Sequence, residues 1–168
     1  MHRAALKIDG EMVEVVVKVQ RPGVAAIVTR DLELLHMMAA ALERAVPETK
    51  IYSPVGLVNQ FDRSITSELN FLVEADHCER FAENFEGHPE VRFPKIYRQA
   101  SSRHVLVQEF FDGTKITKTK ADGKKIAKAS VAVIVKMIFK DGFFHADMHP
   151  GNLFVDDKGR LIAVDFGI

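Results

Sequence analysis

The stretch FFHADMHPGNLFV, residues 143–155, decides how this chain is read. Two histidines, an aspartate, a Pro-Gly pair and an asparagine are set inside an apolar frame. Pro-Gly is incompatible with a strand, and no capping residue opens a helix there, so the segment is a loop. Polar loops held between hydrophobic flanks are where binding and catalytic residues concentrate.

Working outward, NLFVDDKGRLIAVDF reads as a short hairpin turning at Asp157-Lys158-Gly159. Before the loop, a helix is expected from about Gly123 to Lys140, apolar at Ile126, Val131, Ile134, Val135 and Ile138. A lysine-rich connector precedes it, beginning after Asp112-Gly113. FPKIYRQASSRHVLVQEFF reads as two strands around Ser101-Ser102. At the start, AALKIDGEMVEVVVKVQRPG reads as a hairpin around Asp9-Gly10, stopped by Pro22-Gly23.

Two helical stretches lie between the early strands. Val24, Val28, Leu32, Leu35, Met38, Ala39 and Leu42 keep helical spacing from Val24 to about Ala45, and Pro47 ends the run. A second helix is expected from Ser53-Pro54, with Ser53 as N-cap, continuing through ELNFLVEADHCERFAENF with room for a break. Strands come early with helices inserted, and a helix, a loop and a hairpin come late. That order is α+β with two lobes, 1–112 and 113–168.

Composition narrows the function classes. Hydrophobic residues make up 47% and charged residues 27%, the balance of a globular chain with a core. Lys+Arg and Asp+Glu both number 23, so no global charge points to nucleic acid or an acidic polymer. Cys78 is the single cysteine, which excludes an intrachain disulfide and suits a reducing compartment. No apolar run approaches the roughly 20 residues of a membrane-spanning helix. MHRAALKIDG lacks the apolar centre of a signal peptide, so a cytoplasmic domain is the expectation.

The polar residues carry a spacing. Asp147, Asn152 and Asp165 form D-x4-N-x12-D, the last opening DFG after a short apolar strand. Lys18 sits inside a valine-rich strand, and Glu74 lies mid-helix. Phosphoryl transfer needs these parts. A strand-borne lysine holds nucleotide phosphates, and a helical glutamate holds the lysine. One aspartate positions or deprotonates the attacking group, while an asparagine and a second aspartate hold Mg²⁺ through oxygen. DFG alone is weak; the full spacing is specific.

VVVKVQRPGV, ELNFLVEADHCERFAENF, HADMHPGNLFV and VDFGI together resemble the UbiB family of atypical, protein-kinase-like proteins, and the likeness runs essentially end to end. The resemblance implies a protein-kinase-like fold, ATP or ADP bound with Mg²⁺, and an unorthodox ATPase or small-molecule kinase supporting ubiquinone or other prenyl-lipid metabolism. By resemblance, Lys18 contacts phosphate, Glu74 is its ion-pair partner and Glu68 is the first acid of an E-x-D element. Asp147 matches the catalytic-loop aspartate, and Asn152 and Asp165 match the metal ligands. Gln108, Glu109, Phe110 and Phe111 match the segment joining the lobes, whose backbone meets adenine. The implied partners are a prenyl-lipid or quinone intermediate and other ubiquinone-pathway proteins, with no nucleic acid and no membrane span in this chain. The implied location is the cytoplasm, peripheral at the inner membrane for a full-length protein.

Departures and alternatives stand beside this reading. Position 70 is Asn where the family has Asp. The family's alanine-rich nucleotide loop and K-x-G-Q helix would precede Met1, and the rest of the helical lobe would follow Ile168, so a middle fragment with impaired activity is expected. Lys18 at a strand edge, Glu68 and Glu74 as solvated carboxylates, and Asp147 in a turn network with His145 and His149 are the plainer alternatives. Cys78, Phe143 and Phe144 are expected in the core, and the lysine-rich connector is expected to be solvated. Other functions compatible with the residues are zinc hydrolysis through H-x-D-x-H, an aminoglycoside- or choline-type kinase, and a non-catalytic nucleotide- or partner-binding module.

Overall fold

A computed structural model gives the fold, and it describes residues 1–166. Strands β1 (His2–Ile8) and β2 (Glu11–Val19) form the expected hairpin. Asp9 and Gly10 both take positive φ, 49° and 91°, as a two-residue turn between right-twisted strands requires. β4 (Val105–Glu109) pairs with the other side of β2, so β2 is the centre of a three-stranded antiparallel sheet. Lys18 is therefore on a central strand, not an edge. The pleat sends Val15, Val17 and Val107 to one face, where Tyr97 packs, and Val16, Lys18, Leu106 and Gln108 to the other.

Two helices follow β2. α1 (Val24–Ala45) packs on α2 (Pro54–Glu68) across a 3₁₀ turn, Pro47–Tyr52. Of the expected α1 stripe, Leu32 and Ala39 are buried, whereas Leu35, Met38 and Leu42 are exposed. Ser53 does not cap α2. The preceding turn leaves it in the left-handed region, φ 46°, where its side chain makes no cap bond, and the Val55 amide donates instead to Glu43 Oε1 of α1 at 3.0 Å. The break falls at Leu69-Asn70. Asn70 caps α3 (Phe71–Asn84) by accepting from the Leu72 amide at 3.2 Å, a role Asn and Asp fill about equally.

The second sheet runs in the order β3 (Val91–Arg92), β7 (Leu161–Ala163), β6 (Leu153–Val155), β5 (Thr114–Lys115). β6 and β7 are the expected late hairpin, and parallel pairing of β3 with β7 ties the middle of the chain to its end. The pair of strands expected around Ser101-Ser102 reduces to β4 alone. Ile96 makes only an isolated bridge to Gln108, and a 3₁₀ turn, Arg98–Ala100, replaces the rest. α4 (Gly123–Lys136), capped by Asp122, continues into a π turn, Met137–Asp141, which ends at Gly142 with φ 60°. It buries Ile126, Ala129, Val133 and Met137, while Val131, Ile134, Val135 and Ile138 are exposed.

One core joins these pieces. Ala75, Cys78 and Phe81 of α3 pack with Leu106, Val133, Leu161 and Phe166, so the helix carrying Glu74 is held against the residue that follows Asp165. Phe143 packs on this cluster, but Phe144 is exposed, because the loop turns its side chain outward. Among the described residues, no helix is long and apolar enough to cross a membrane.

Candidate active site

Lys18 is placed by the β2 pleat and made tolerable there by two carboxylates. Its Nζ donates to Glu74 Oε1 at 2.6 Å and to Asp165 Oδ1 at 3.0 Å, bringing together residues 56 and 147 positions apart. The Lys18 side chain is 12% exposed and that of Glu74 is 5%, so neither charge would be stable alone at its depth. Burial on its own lowers the Lys18 pKa, but Glu74 and then Asp165 outweigh it and hold the ammonium above the ordinary lysine value. Both carboxylates thus favour a charged lysine. The Phe71 ring lies 5.7 Å from the same ammonium.

α3 also grips the backbone beside Asp165. Glu74 Oε1 accepts from the Phe166 amide at 3.4 Å, and His77 Nδ1 donates to the Phe166 carbonyl at 3.1 Å. Asp165 itself has φ 69°, a left-handed conformation that a non-glycine residue holds only where its surroundings enforce it. Of the DFG triplet, Gly167 lies outside the described residues.

The polar loop is ordered by its own side chains. His145 Nδ1 accepts from the Asp147 amide at 3.1 Å, which makes Nε2 the protonated nitrogen. That Nε2 is buried near the Val164 and Asp165 backbone without closing a hydrogen bond, and burial keeps the ring neutral by lowering its pKa. His149 Nδ1 accepts from the Gly151 amide at 2.9 Å. A Cβ on Gly151 would lie 2.3 Å from His149 Cε1, so any larger residue there must displace the His149 ring. Asn152 Nδ2 donates to the Asp147 carbonyl at 3.3 Å and reaches Asp147 Oδ2 at 3.5 Å, while the Val164 amide donates to the Asn152 carbonyl at 3.0 Å. Asp147 is left exposed with its carboxylate outward from these constraints.

Lys18, Asn152 and Asp165 border a cleft of about 330 Å³, lined also by Val16, Gln108, Phe111 and Lys115, whereas Glu74, Asp147 and the two loop histidines are not in its lining. Glu109 and Phe110 also line it, but the Glu109 carboxylate is bound to Arg92, and the Phe110 amide donates to the Glu14 carbonyl at 3.2 Å. Glu68, by contrast, is exposed at the end of α2 and is not part of this lining. A larger polar cleft of about 650 Å³ at the α2–α3 break contains none of the Lys18 group. Asn152 and Asp165 both line the 330 Å³ cleft, and their side chains carry oxygens of the kind Mg²⁺ takes alongside water and phosphate, although Asp165 Oδ1 here accepts from Lys18. The histidines of H-x-D-x-H do not converge: both turn Nδ1 to backbone amides, and no three His, Cys, Asp or Glu side chains gather among the described residues.

Sequence reasoning missed His77 and the side chain of Gln108. His77 stands three residues after Glu74, on the same helix face, and that spacing was the available signal. Gln108 faces the cleft because it pairs with Val16 two positions from Lys18, a register no local pattern contains.

A strand lysine clamped by a helical glutamate and by the aspartate of a DFG turn, beside a D-x4-N loop, defines a protein-kinase-like framework. The comparisons with known proteins agree. The ABC1 atypical kinase-like domain matches residues 1–168, and the chain belongs to that family. It is 39% identical to a probable protein kinase UbiB of Azotobacter vinelandii and 33% identical to one of Aliivibrio salmonicida, in each case over all of this chain. The chain spans about a third of the length of these relatives, 33% and 32%. Among solved structures, Rv3197 of Mycobacterium tuberculosis, determined in complex with erythromycin, superposes with a TM-score of 0.73 at 26% identity. That match covers 93% of this chain and 40% of the other.

Proposed function

We propose that this chain carries the nucleotide site of a UbiB-type ATPase or small-molecule kinase, binding ATP or ADP with Mg²⁺ in the cleft below Lys18. The observation that carries the reading is the joint grip of Glu74 and Asp165 on Lys18, 2.6 and 3.0 Å, at the edge of a cleft that Asn152 also borders. Lys18 presents a permanently charged ammonium to phosphate oxygens. Asn152 and Asp165 would hold Mg²⁺, which supplies charge neutralisation at the phosphates. Asp147, exposed and fixed through Asn152, orients the attacking hydroxyl or water and takes its proton. The adenine edge would meet the backbone at Phe111, since the Glu109 and Phe110 amides already donate to the Lys95 and Glu14 carbonyls, and Glu68, the acid that remains of the E-x-D element in Glu68-Leu69-Asn70, acts from outside the cleft. The UbiB likeness supports a role in ubiquinone or other prenyl-lipid metabolism, with a lipid intermediate and pathway proteins as partners.

The test is a thermal-shift titration with ATP and ADP, with and without Mg²⁺. A ligand that binds only the folded form raises the melting temperature. A Mg²⁺-dependent rise is expected in the unaltered chain, absent in Asp165→Ala and reduced less in His149→Ala. Equal loss in both variants would favour a histidine-bound metal instead. No rise in a chain that melts cooperatively would remove the nucleotide-binding reading.

A further inference from the structure

Phe166 is pinned through both of its backbone groups to one face of α3. Its amide donates to Glu74 Oε1 at 3.4 Å, and its carbonyl accepts from His77 Nδ1 at 3.1 Å. Glu74 and His77 stand three positions apart, so a single turn of helix supplies both contacts. A carbonyl oxygen only accepts, so Nδ1 carries the hydrogen. The residue before, Asp165, has φ 69°, a backbone that an aspartate keeps only under constraint. On its other side the Val164 amide is fixed to the Asn152 carbonyl at 3.0 Å. The strained turn is therefore held between two anchors, the polar loop and α3. The His77 ring also rests edge-on against Phe143, with centroids 5.6 Å apart, so it packs as well as donates.

We infer that His77 is a positioning residue for the metal-binding aspartate: its hold on the Phe166 carbonyl keeps Asp165 in the left-handed turn that directs the carboxylate to Lys18 and the cleft. The inference rests on the nucleotide reading above, in which Asp165 holds Mg²⁺. Glu74 does not supply this hold alone. Its Oε1 is shared with the Lys18 ammonium at 2.6 Å, and its bond to the Phe166 amide is the longer of the two grips on that residue. With the carbonyl released, the strain at Asp165 favours a negative φ, and that rotation carries the carboxylate away from the cleft. Only the fraction of molecules still in the gripped turn then binds Mg²⁺, so the apparent affinity falls by that fraction. Lys18 keeps Glu74, and nucleotide contacts that do not pass through Asp165 are left as they were.

Two substitutions separate the hydrogen bond from the packing. His77→Asn puts a side-chain N–H where Nδ1 stands but loses the ring contact with Phe143, whereas His77→Phe keeps a ring and loses the donor. Both variants and the unaltered chain are titrated with ATP in a calorimeter, in Mg²⁺ and again in EDTA. In His77→Phe the affinity in Mg²⁺ is expected to fall about fivefold, the factor one hydrogen bond is worth, with the affinity in EDTA unchanged. His77→Asn is expected to match the unaltered chain in both conditions. Melting curves of the ligand-free proteins show that each is folded. If His77→Phe does not fold, His77→Leu, which also lacks the donor, takes its place in the same comparison. Full Mg²⁺-dependent affinity in the variant without a donor, an equal fall in His77→Asn, or parallel falls in Mg²⁺ and EDTA overturns the inference and leaves the nucleotide reading intact. Absence of Mg²⁺-dependent binding in the unaltered chain overturns both, and shows itself before any substitution is made.

Discussion

Replacing one member of the Lys18–Glu74 pair should cost far more than replacing both. Lys18→Met leaves Glu74, 5% exposed, and Asp165 facing the same space with no cation between them. Removing one partner of a buried ion pair costs about 3–5 kcal/mol, and this case belongs near the top because two carboxylates lose their partner. Glu74→Leu leaves Lys18 still bound to Asp165, whose side chain is 43% exposed, so the cost should fall near about 3 kcal/mol. Part of that is the Phe166 amide, which loses its acceptor. The double variant substitutes apolar groups for both charges and should lie within about 1–2 kcal/mol of the unaltered chain, giving a coupling of about 6 kcal/mol. Urea denaturation at pH 7 measures all four proteins. With slopes of about 1–3 kcal/mol per molar, the single variants should lose on the order of 2 M in midpoint. Additive effects, with coupling below about 0.5 kcal/mol, would refute the buried pair and with it the placement of Lys18.

Three further predictions follow from other parts of the fold. The Cys78 thiol, buried among α3 core residues and donating to the Pro94 carbonyl at 3.3 Å, has its pKa pushed well up by burial. Iodoacetamide should therefore leave it unmodified at pH 8 until denaturant opens the core; fast labelling of the native chain would contradict this. Asp156 accepts from the Lys158 and Arg160 amides at 3.0 and 2.8 Å and from Arg160 Nε at 2.8 Å. Burial alone raises its pKa, but the Arg160 and Lys158 donors outweigh it and hold the carboxyl below the usual 3.8. Its stabilisation is then present above pH 3.8 and lost as pH falls below it, so Asp156→Asn should flatten the acid limb of stability and cost about 1 kcal/mol at pH 7. Gly151→Ala should cost about 1 kcal/mol, since the new Cβ displaces the His149 ring and breaks its bond to the 151 amide. In a His149→Ala background the same change should cost almost nothing in a denaturation curve.

Elements written in local chemistry were legible in the sequence. Asp9-Gly10 specifies a tight hairpin because two successive positive φ values are required, and the valine-rich run after it matches the central strand of the first sheet, where Val15 is buried and Val16 and Val17 are partly covered. The loop with Pro150-Gly151 and the spacing from Asp147 to Asp165 could be recognised because these candidate residues lie within one hairpin of each other. The partnership of Lys18 with Glu74 came from family likeness, since nothing local links residues 56 positions apart. What escaped reading was set by tertiary context. Ser53 has the right identity for a cap, yet the preceding 3₁₀ turn fixes it in the left-handed region. α4 is apolar on more than one side, so its sequence does not say that Val133 and Met137, rather than Val131 and Ile134, face the core. Phe144 looked like core beside Phe143, but the backbone entering the loop sends the two rings in different directions.

The most direct measurement is a calorimetric titration of the chain with ATP, run in Mg²⁺ and repeated in EDTA. The account predicts one nucleotide per chain in Mg²⁺, sharply weaker binding in EDTA, and loss of the Mg²⁺ dependence in Asp165→Ala. Binding of equal strength with and without Mg²⁺, or binding indifferent to Asp165, would contradict the assignment of Asn152 and Asp165 and the site built around Lys18.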